Sequence, residues 1–362
     1  MAASTLTEVA RLAGVSPATA SRVLNGSARV PGKDIADRVR QAAQSLGYIP
    51  NAQAQGLAKS SSGLIGLIVH DIADPYFAAI ARGVQEAAKE QHKMVLLATT
   101  EGAPESEKEA VAAFAARRAD SIVIAGSRTS RTEDQDANIE LAAELDRYCR
   151  NGGHVGVIGH RIVGATAADG YQVVCVPNEE LAAQLATELA ATGEKGFVIV
   201  GGPEGLFTSD DRIRGFQGGL ASAGLSAAEV MRTDFNRAGG FEAGLALAAR
   251  ITASQPGRET KRLCIFAVND VMAIGASAAL RSQGLLIPRD AAVAGFDDIE
   301  TLRDFRPALS TVHLPLEEIG RQAANRAAGP SGGDAGSSPI TGQVILRRST
   351  EVAHPNSAES VA

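Results

Sequence analysis

The chain has 362 residues, 45% of them hydrophobic, with 35 Lys and Arg against 41 Asp and Glu and a formal net charge of −6. That length and apolar content hold one small module and a larger α/β body. Cys149, Cys175 and Cys264 sit in unrelated, mostly apolar settings without metal-ligand spacing, so they read as buried thiols in a reducing cytoplasm. No apolar signal core opens the chain and no stretch approaches ~18 uninterrupted apolar residues, which argues against secretion and against membrane spanning.

Residues 5–26, TLTEVARLAGVSPATASRVLNG, read as two short helices across a glycine turn. Thr5 and Glu8 form a capping box, and Leu6, Val9, Ala10 and Ala13 then give one apolar face at helical spacing. Gly14 stops that helix, because glycine takes a left-handed backbone at little cost. Ser16 and Pro17 open the second helix as N-cap and first-turn proline; Thr19, Ala20, Val23 and Leu24 continue it, and Asn25-Gly26 end it. Helices of this length across so short a turn match a helix-turn-helix, whose second helix enters the major groove. A third amphipathic helix is expected over 32–46, burying Ile35, Val39, Ala42, Ala43 and Leu46, with Gly47 as its stop. Residues 48–58 read as a turn and one short, poorly stabilised helix, followed by Lys59-Ser60-Ser61-Ser62-Gly63.

Charge divides at the same place. Residues 1–60 carry seven Lys or Arg and three acids, whereas residues 61–362 carry 28 basic and 38 acidic residues. A basic head on an acidic body suits a phosphate-binding module attached to a domain that stays off nucleic acid. The segments TLTEVARLAGVSPATASRVLNG and LGYIPNAQAQGLA resemble the headpiece and hinge of the lactose-repressor (LacI/GalR) family of bacterial transcription regulators. The likeness runs on to ILRRST near the C-terminus.

After Gly63, short apolar runs at 64–69, 95–98, 121–125 and 155–158 alternate with helices expected over 76–91, 106–117 and 139–150. A second set follows, with strands at 173–176, 197–200, 263–267 and 291–294 and helices near 179–192, 213–223, 239–251 and 270–283. Such alternation predicts doubly wound parallel sheets, and two successive sets predict two lobes. The resemblance implies a periplasmic-binding-protein-like body whose chain crosses between lobes three times. The expected organisation is a helix-turn-helix headpiece at 1–49, a hinge helix and linker at 50–62, and an effector-binding and dimerisation domain at 63–362. Its first lobe would span about 63–161 and 296–325, its second about 162–295 and 326–353.

In the head, Pro17, Ala18 and Arg22 would face the groove. Arginine can hold guanine O6 and N7 with two parallel hydrogen bonds, while Pro17 and Ala18 offer only apolar contacts. Thr5, Ser16, Thr19, Ser21 and Asn25 are sized to hold phosphates and fix register, although a hydroxyl at any one position serves equally as a cap. In the hinge, Asn51, Ala54 and Leu57 are the candidates. By resemblance Leu57 would be a wedge between base pairs of a kinked minor groove, paired across a dimer, the alternative being that it packs on the body. Gly56 beside it costs ~1 kcal/mol of helix stability, so the hinge is expected to fold only when bound. The family usually has a small polar residue at Gly56 and an arginine at Gln55.

In open α/β sheets ligands bind beyond the C-terminal ends of the strands, and two lobes place two such edges around one molecule. Candidate effector residues are therefore Asp71, Asp74 and Phe77 after the first strand, Arg161 after the fourth, and Arg212, Asn269 and Asp297 in the second set. Carboxylate, amide and guanidinium groups over an aromatic ring suit a sugar, whose hydroxyls donate and accept while the ring covers C–H faces. The resemblance assigns Arg212, Asn269 and Asp297 to effector contact; Asp270 and Asp298 are read as caps of the following helices. Leu314 stands where many relatives carry glutamine, and His160 and Pro177 where aspartate is common.

The expected activity is that of a sequence-specific DNA-binding regulator, a repressor, whose affinity for a palindromic double-stranded operator follows a small effector, a sugar or related metabolite. Heads reading two half-sites require a homodimer, and the tail after Val352 is too short for tetramerising heptads. A cytoplasmic, nucleoid-associated location follows, with no membrane partner and no cofactor. An enzyme is disfavoured: the chain has no GxGxxG after a first strand, no phosphate-binding Lys-Ser/Thr loop and no HExxH, and its six histidines are scattered. The alternative is a solute-binding protein without a gene-regulatory role.

Overall fold

The computed structural model describes residues 4–25, 31–49, 61–166, 170–253, 262–329 and 338–351. The chain divides into two compact units, Met1–Gly63 and Leu64–Ala362. No helix among the described residues is long and apolar enough to cross a membrane.

Helix α1 (Leu6–Ala13) starts at a complete capping box: the Glu8 N–H donates to the Thr5 hydroxyl, and the Thr5 N–H to the Glu8 carboxylate at 2.8 Å. Gly14 closes it at φ 64°. Helix α2 (Pro17–Asn25) and α3 (Lys33–Ser45) complete a head whose core is built of small residues, among them Val9, Ala13, Ala20, Val23, Val39 and Ala43. One expectation needs correction. Leu46 caps α3 and is 37% exposed, while Ala36 is buried in place of a fully inward Ile35. The buried face of α3 therefore runs through alanines.

In the second unit, β1 (Leu64–Val69), β2 (Met94–Thr99), β3 (Ser121–Ala125), β4 (His154–Ile158) and β5 (Tyr171–Val174) form a parallel sheet in the order β2-β1-β3-β4-β5. A second parallel sheet orders β6 (Gly196–Gly201), β7 (Glu229–Arg232), β8 (Leu263–Ala267) and β9 (Ala291–Ala294) as β7-β6-β8-β9. Strands covered on both faces read as continuous apolar runs, and β3, fully buried, is one. A short antiparallel pair, β10 (Thr311–His313) with β11 (Gln343–Ile345), was not expected.

The lobe boundaries differ from the expectation. The strand read as opening the second set is β5, which pairs with β4 and completes the first sheet. No helix intervenes among the described residues between the two strands, so alternation gives no cue there. Residues 296–313 also stay with the second lobe, since the Gly295 N–H donates to the Ser310 carbonyl and the Asp297 N–H to the Val312 carbonyl. Crossings thus fall at 175–177 and 314–315, after which helix Leu316–Arg326 packs on helix Pro75–Glu90 of the first lobe. Gly83 and Gly320 permit that close approach, because a Cβ on either would overlap the Glu317 or Ile80 carbonyl of the facing helix. A third passage lies between Arg326 and β11.

Cys149 and Cys264 are buried, and burial raises their thiols to about 11 and about 12. Cys175 is exposed, contrary to expectation, because it lies on the first crossing rather than in a strand.

Candidate functional site

In the head, Ala20 and Val23 turn inward and fix which face of α2 is outward. Ser16, Pro17, Ala18 and Arg22 are exposed, and Thr19 and Ser21 are half-buried. The Ser16 hydroxyl accepts from the Thr19 N–H at 3.1 Å and lies 2.9 Å from the Thr19 hydroxyl. The exposed Thr5 hydroxyl is held by Glu8, which draws the Glu8 carboxyl below its ordinary value through the Thr5 backbone N–H and hydroxyl. These hydroxyls cap helices in the free protein, which leaves Arg22 as the exposed cation of α2. Asn25 is the last residue of that helix. Asn51, Ala54 and Leu57 lie outside the described residues.

In the body, a cavity of about 650 Å³ opens at the C-terminal ends of both parallel sheets. Asp71, Asp74 and Phe77 line it from the first lobe, and Arg212, Asn269 and Asp297 from the second. Arg161 does not. Its neighbour Ile162 is buried, with its N–H donating to the Tyr171 hydroxyl at 2.8 Å, so Arg161 on the other side of the chain is exposed.

Arg212 is the centre of the cavity floor and is only 2% exposed. It sits on the second turn of helix Phe207–Ser222, which begins six residues earlier than the sequence pattern suggested. Its Nε donates to Asn178 Oδ1 at 2.9 Å, Nη1 to the Val268 carbonyl at 2.7 Å and Nη2 to Asp297 Oδ1 at 2.8 Å. Its guanidinium carbon lies 3.9 Å from the Phe296 ring centroid, a cation–π contact. A guanidinium carries five N–H donors, so two remain for a guest. Burial pushes the Asp297 carboxyl up to about 6 against the pull of Arg212.

Asp74 and Asn269 each have a structural duty as well. Asp74 caps helix Pro75–Glu90 by accepting from the Tyr76 N–H, and burial raises its carboxyl. Asn269 caps helix Asp270–Ser282 by accepting from the Met272 N–H. Asp270 is therefore not the cap that was expected. Its buried carboxyl accepts from the Thr311 hydroxyl at 2.7 Å and the Ile299 N–H at 3.0 Å, tying β10 to the second sheet, and burial pushes it well up. Asp298, also read as a cap, instead pairs with Arg347 at 2.8 Å and His313 at 3.1 Å.

Sequence reasoning missed Glu101, Ser127, Thr129, Arg131 and the run Asp234-Phe235-Asn236, all of which line the cavity. Each follows the end of a strand, which is the signal that could have found them. The last run follows β7, a short four-residue edge strand, EVMR, without an apolar run to mark it.

The loop after β3 also reaches across to the second lobe. The Ser130 N–H donates to the Gly205 carbonyl and the Phe207 N–H to the Arg128 carbonyl, both at 3.0 Å, and the Thr208 N–H to the Ser127 hydroxyl at 3.1 Å. A buried Arg128–Glu107 pair anchors that loop. Burial alone would raise the Glu107 carboxyl, but the Arg128 guanidinium holds it down to about 2. His160 of the first lobe meets Asp211 of the second at 2.6 Å. Both faces of the cleft are thus linked by bonds that a change of lobe angle must break.

A basic three-helix reader and a two-lobed receptor with a polar cavity between its sheets define a ligand-responsive DNA-binding protein. Residues 5–51 match bacterial regulatory proteins of the lacI family, and residues 173–350 match the periplasmic binding protein-like domain. The chain is 32% identical over 325 residues to the HTH-type transcriptional regulator GalS of Salmonella typhimurium (strain LT2), covering 89% of this chain and 88% of that one. Its fold is similar to the Lac repressor dimer bound to operator and the anti-inducer ONPF, with a TM-score of 0.79, 23% identity, and 97% and 100% of the two chains covered. It is also similar to the transcriptional regulator CelR–cellobiose complex, with a TM-score of 0.63, 26% identity, and 96% and 99% covered. The chain belongs to the lacI family of bacterial regulatory proteins. It is a transcriptional regulator, and the relatives it matches are regulators rather than enzymes.

Proposed function

We propose that the protein is a homodimeric repressor that reads an inverted-repeat operator with α2 and the hinge, under the control of a small polyhydroxylated ligand held between the two lobes of its body. The observation that carries the DNA reading is Arg22, exposed on a helix whose opposite face, Ala20 and Val23, is buried in the head. Pro17 and Ala18 then supply apolar contacts to base edges, and Ser16, Thr19, Ser21 and Asn25 supply contacts to phosphates. Thr5, Asn51 and Ala54 would hold the adjoining backbone, and Leu57 would enter the minor groove.

Support for the ligand reading comes from the cavity. Arg212 keeps two N–H donors, Asp71, Asp74 and Asp297 present acceptors, and Phe77 presents a ring. Dimerisation is supported by β2, an edge strand that leaves Met94 70% and Leu97 45% exposed, more apolar surface than a solvated edge favours. Ligand binding changes lobe angle, and through the dimer the spacing of the two heads, with a coupling free energy of ~1–3 kcal/mol. The site of action is the cytoplasm, where the operator lies.

A gel shift on DNA selected from a randomised palindrome library tests the proposal. The full chain is expected to prefer the selected sequence over a scrambled one, with affinity falling steeply as salt rises. Arg22→Ala is expected to erode that preference by ~1–3 kcal/mol. Equal binding of selected and scrambled DNA by the wild-type chain sinks the proposal.

A further inference from the structure

We propose that the cavity takes a ligand without net negative charge and turns away phosphate esters and sugar acids; this rests on the reading of the cavity as the effector site. The cations on its walls are already committed. Arg212 is paired with Asp297 at 2.8 Å and Arg131 with Asp134 at 2.9 Å. Against them stand Asp71, Asp74, Glu101 and Asp234, which no described Lys or Arg reaches within ion-pair distance.

Helix N-termini are the other usual home for an anion, through their unpaired N–H groups and dipole. Here the chain fills them itself. Asp74 takes the Tyr76 N–H at 2.9 Å, and Asn269 takes the Met272 N–H at 2.8 Å. Asn236 takes the Gly239 N–H at 2.9 Å ahead of helix Arg237–Ala253. The first amides of helix Phe207–Ser222 go to the Arg128 carbonyl and the Ser127 hydroxyl. Two further helices start beside the cavity: Asn178–Ala191 carries Glu179 and Glu180 in its first turn, and Pro104–Ala116, which follows the lining residues Glu101 and Gly102, carries Glu105 and Glu107.

An anion entering this space would therefore approach four carboxylates that no described Lys or Arg pairs with, and find Arg212 with Asp297 already seated. A hydroxyl group meets no such conflict, since it donates to the carboxylates and accepts from the two spare Arg212 N–H groups. Asp74 and Asp297 are raised chiefly by burial, with Asp71 adding to the rise at Asp74 and Asp74 to that at Asp297, and a neighbouring anion would raise both further.

The test is a thermal-shift panel on the full chain, followed by calorimetry on any compound that stabilises it. The panel pairs ribose with ribose 5-phosphate, glucose with glucose 6-phosphate and gluconate, galactose with galactose 1-phosphate, and adenosine with adenosine monophosphate, and adds cellobiose. Stabilisation by a neutral member, with its anionic counterpart at least a hundredfold weaker, is the expected result. Glu101→Gln is then expected to narrow that ratio at least threefold. A phosphorylated or acidic member that binds as tightly as its neutral counterpart overturns the inference and leaves the regulator reading standing. Should no member shift a protein that binds its selected DNA, the cavity is not the effector site and the inference falls with it. Failure to bind DNA at all faults the regulator reading separately.

Discussion

Arg212→Met removes the guanidinium while keeping most of the side chain's length and apolar stem. Three buried acceptors lose their donor: Asn178 Oδ1, the Val268 carbonyl and Asp297 Oδ1. An unsatisfied buried acceptor costs ~1–3 kcal/mol, and the cation–π contact with Phe296 is lost as well. The Asp297 share is capped, because its carboxyl already sits at about 6 and takes up a proton instead of remaining a bare buried charge. The expected loss is ~3–5 kcal/mol, the range found when one partner of a buried pair is removed. That is a large part of the ~5–15 kcal/mol that typically separates folded from unfolded states. The chain has no tryptophan, so urea unfolding is best followed by far-ultraviolet circular dichroism. A loss under ~1 kcal/mol would show that water reaches the three acceptors, and the account of Arg212 as the dry centre of the floor would be wrong.

Other consequences are as direct. Because the folded Asp297 carboxyl is raised above its ordinary 3.8 to about 6, its contribution is fully present below 3.8 and is lost as pH rises to about 6. Asp297→Asn should therefore gain on the wild type across that window and keep a constant offset above it; parallel stability curves would refute the burial of this group. Glu107 has the opposite sign: its contribution is present above 4.5 and lost as pH falls toward about 2, so Glu107→Gln should change stability most at neutral pH. Thr5→Ala breaks the capping box and should cost ~1 kcal/mol, read as roughly fivefold faster amide exchange in α1; unchanged exchange would show the cap to be idle. Gly320→Ala places a methyl group on the Ile80 carbonyl and should destabilise by ~1–3 kcal/mol in the same urea titration, whereas a neutral result would mean that the two helices separate freely.

The head was legible because its signals are local. Thr5 with Glu8, Gly14 at a left-handed turn and Ser16 before Pro17 mark their boundaries within four residues of sequence. The apolar strands of the body were legible as well, since parallel strands buried on both faces leave runs such as SIVIA. What escaped depends on distant contacts. β5 is set by its pairing with β4, and residues 296–313 are held to the second lobe by backbone bonds and by Asp270 on Thr311. Arg212, in the polar stretch FTSDDR, gave no sign that its helix starts at Phe207 or that its guanidinium is buried. Asn269 and Asp297 stood out as polar residues at strand ends, but Asp234, Phe235 and Asn236 stayed hidden because β7 itself was unmarked.

The central claim is that ligand in the body and DNA on the head answer to one equilibrium. Fluorescence anisotropy of selected operator DNA, titrated with the full chain at fixed salt, with and without the best-stabilising compound, measures that coupling. Calorimetry of the same compound against DNA-bound and DNA-free protein measures it in reverse. The two factors are expected to agree and to lie between about 5-fold and 150-fold. Operator affinity that is indifferent to a compound shown to fill the cavity would contradict the account.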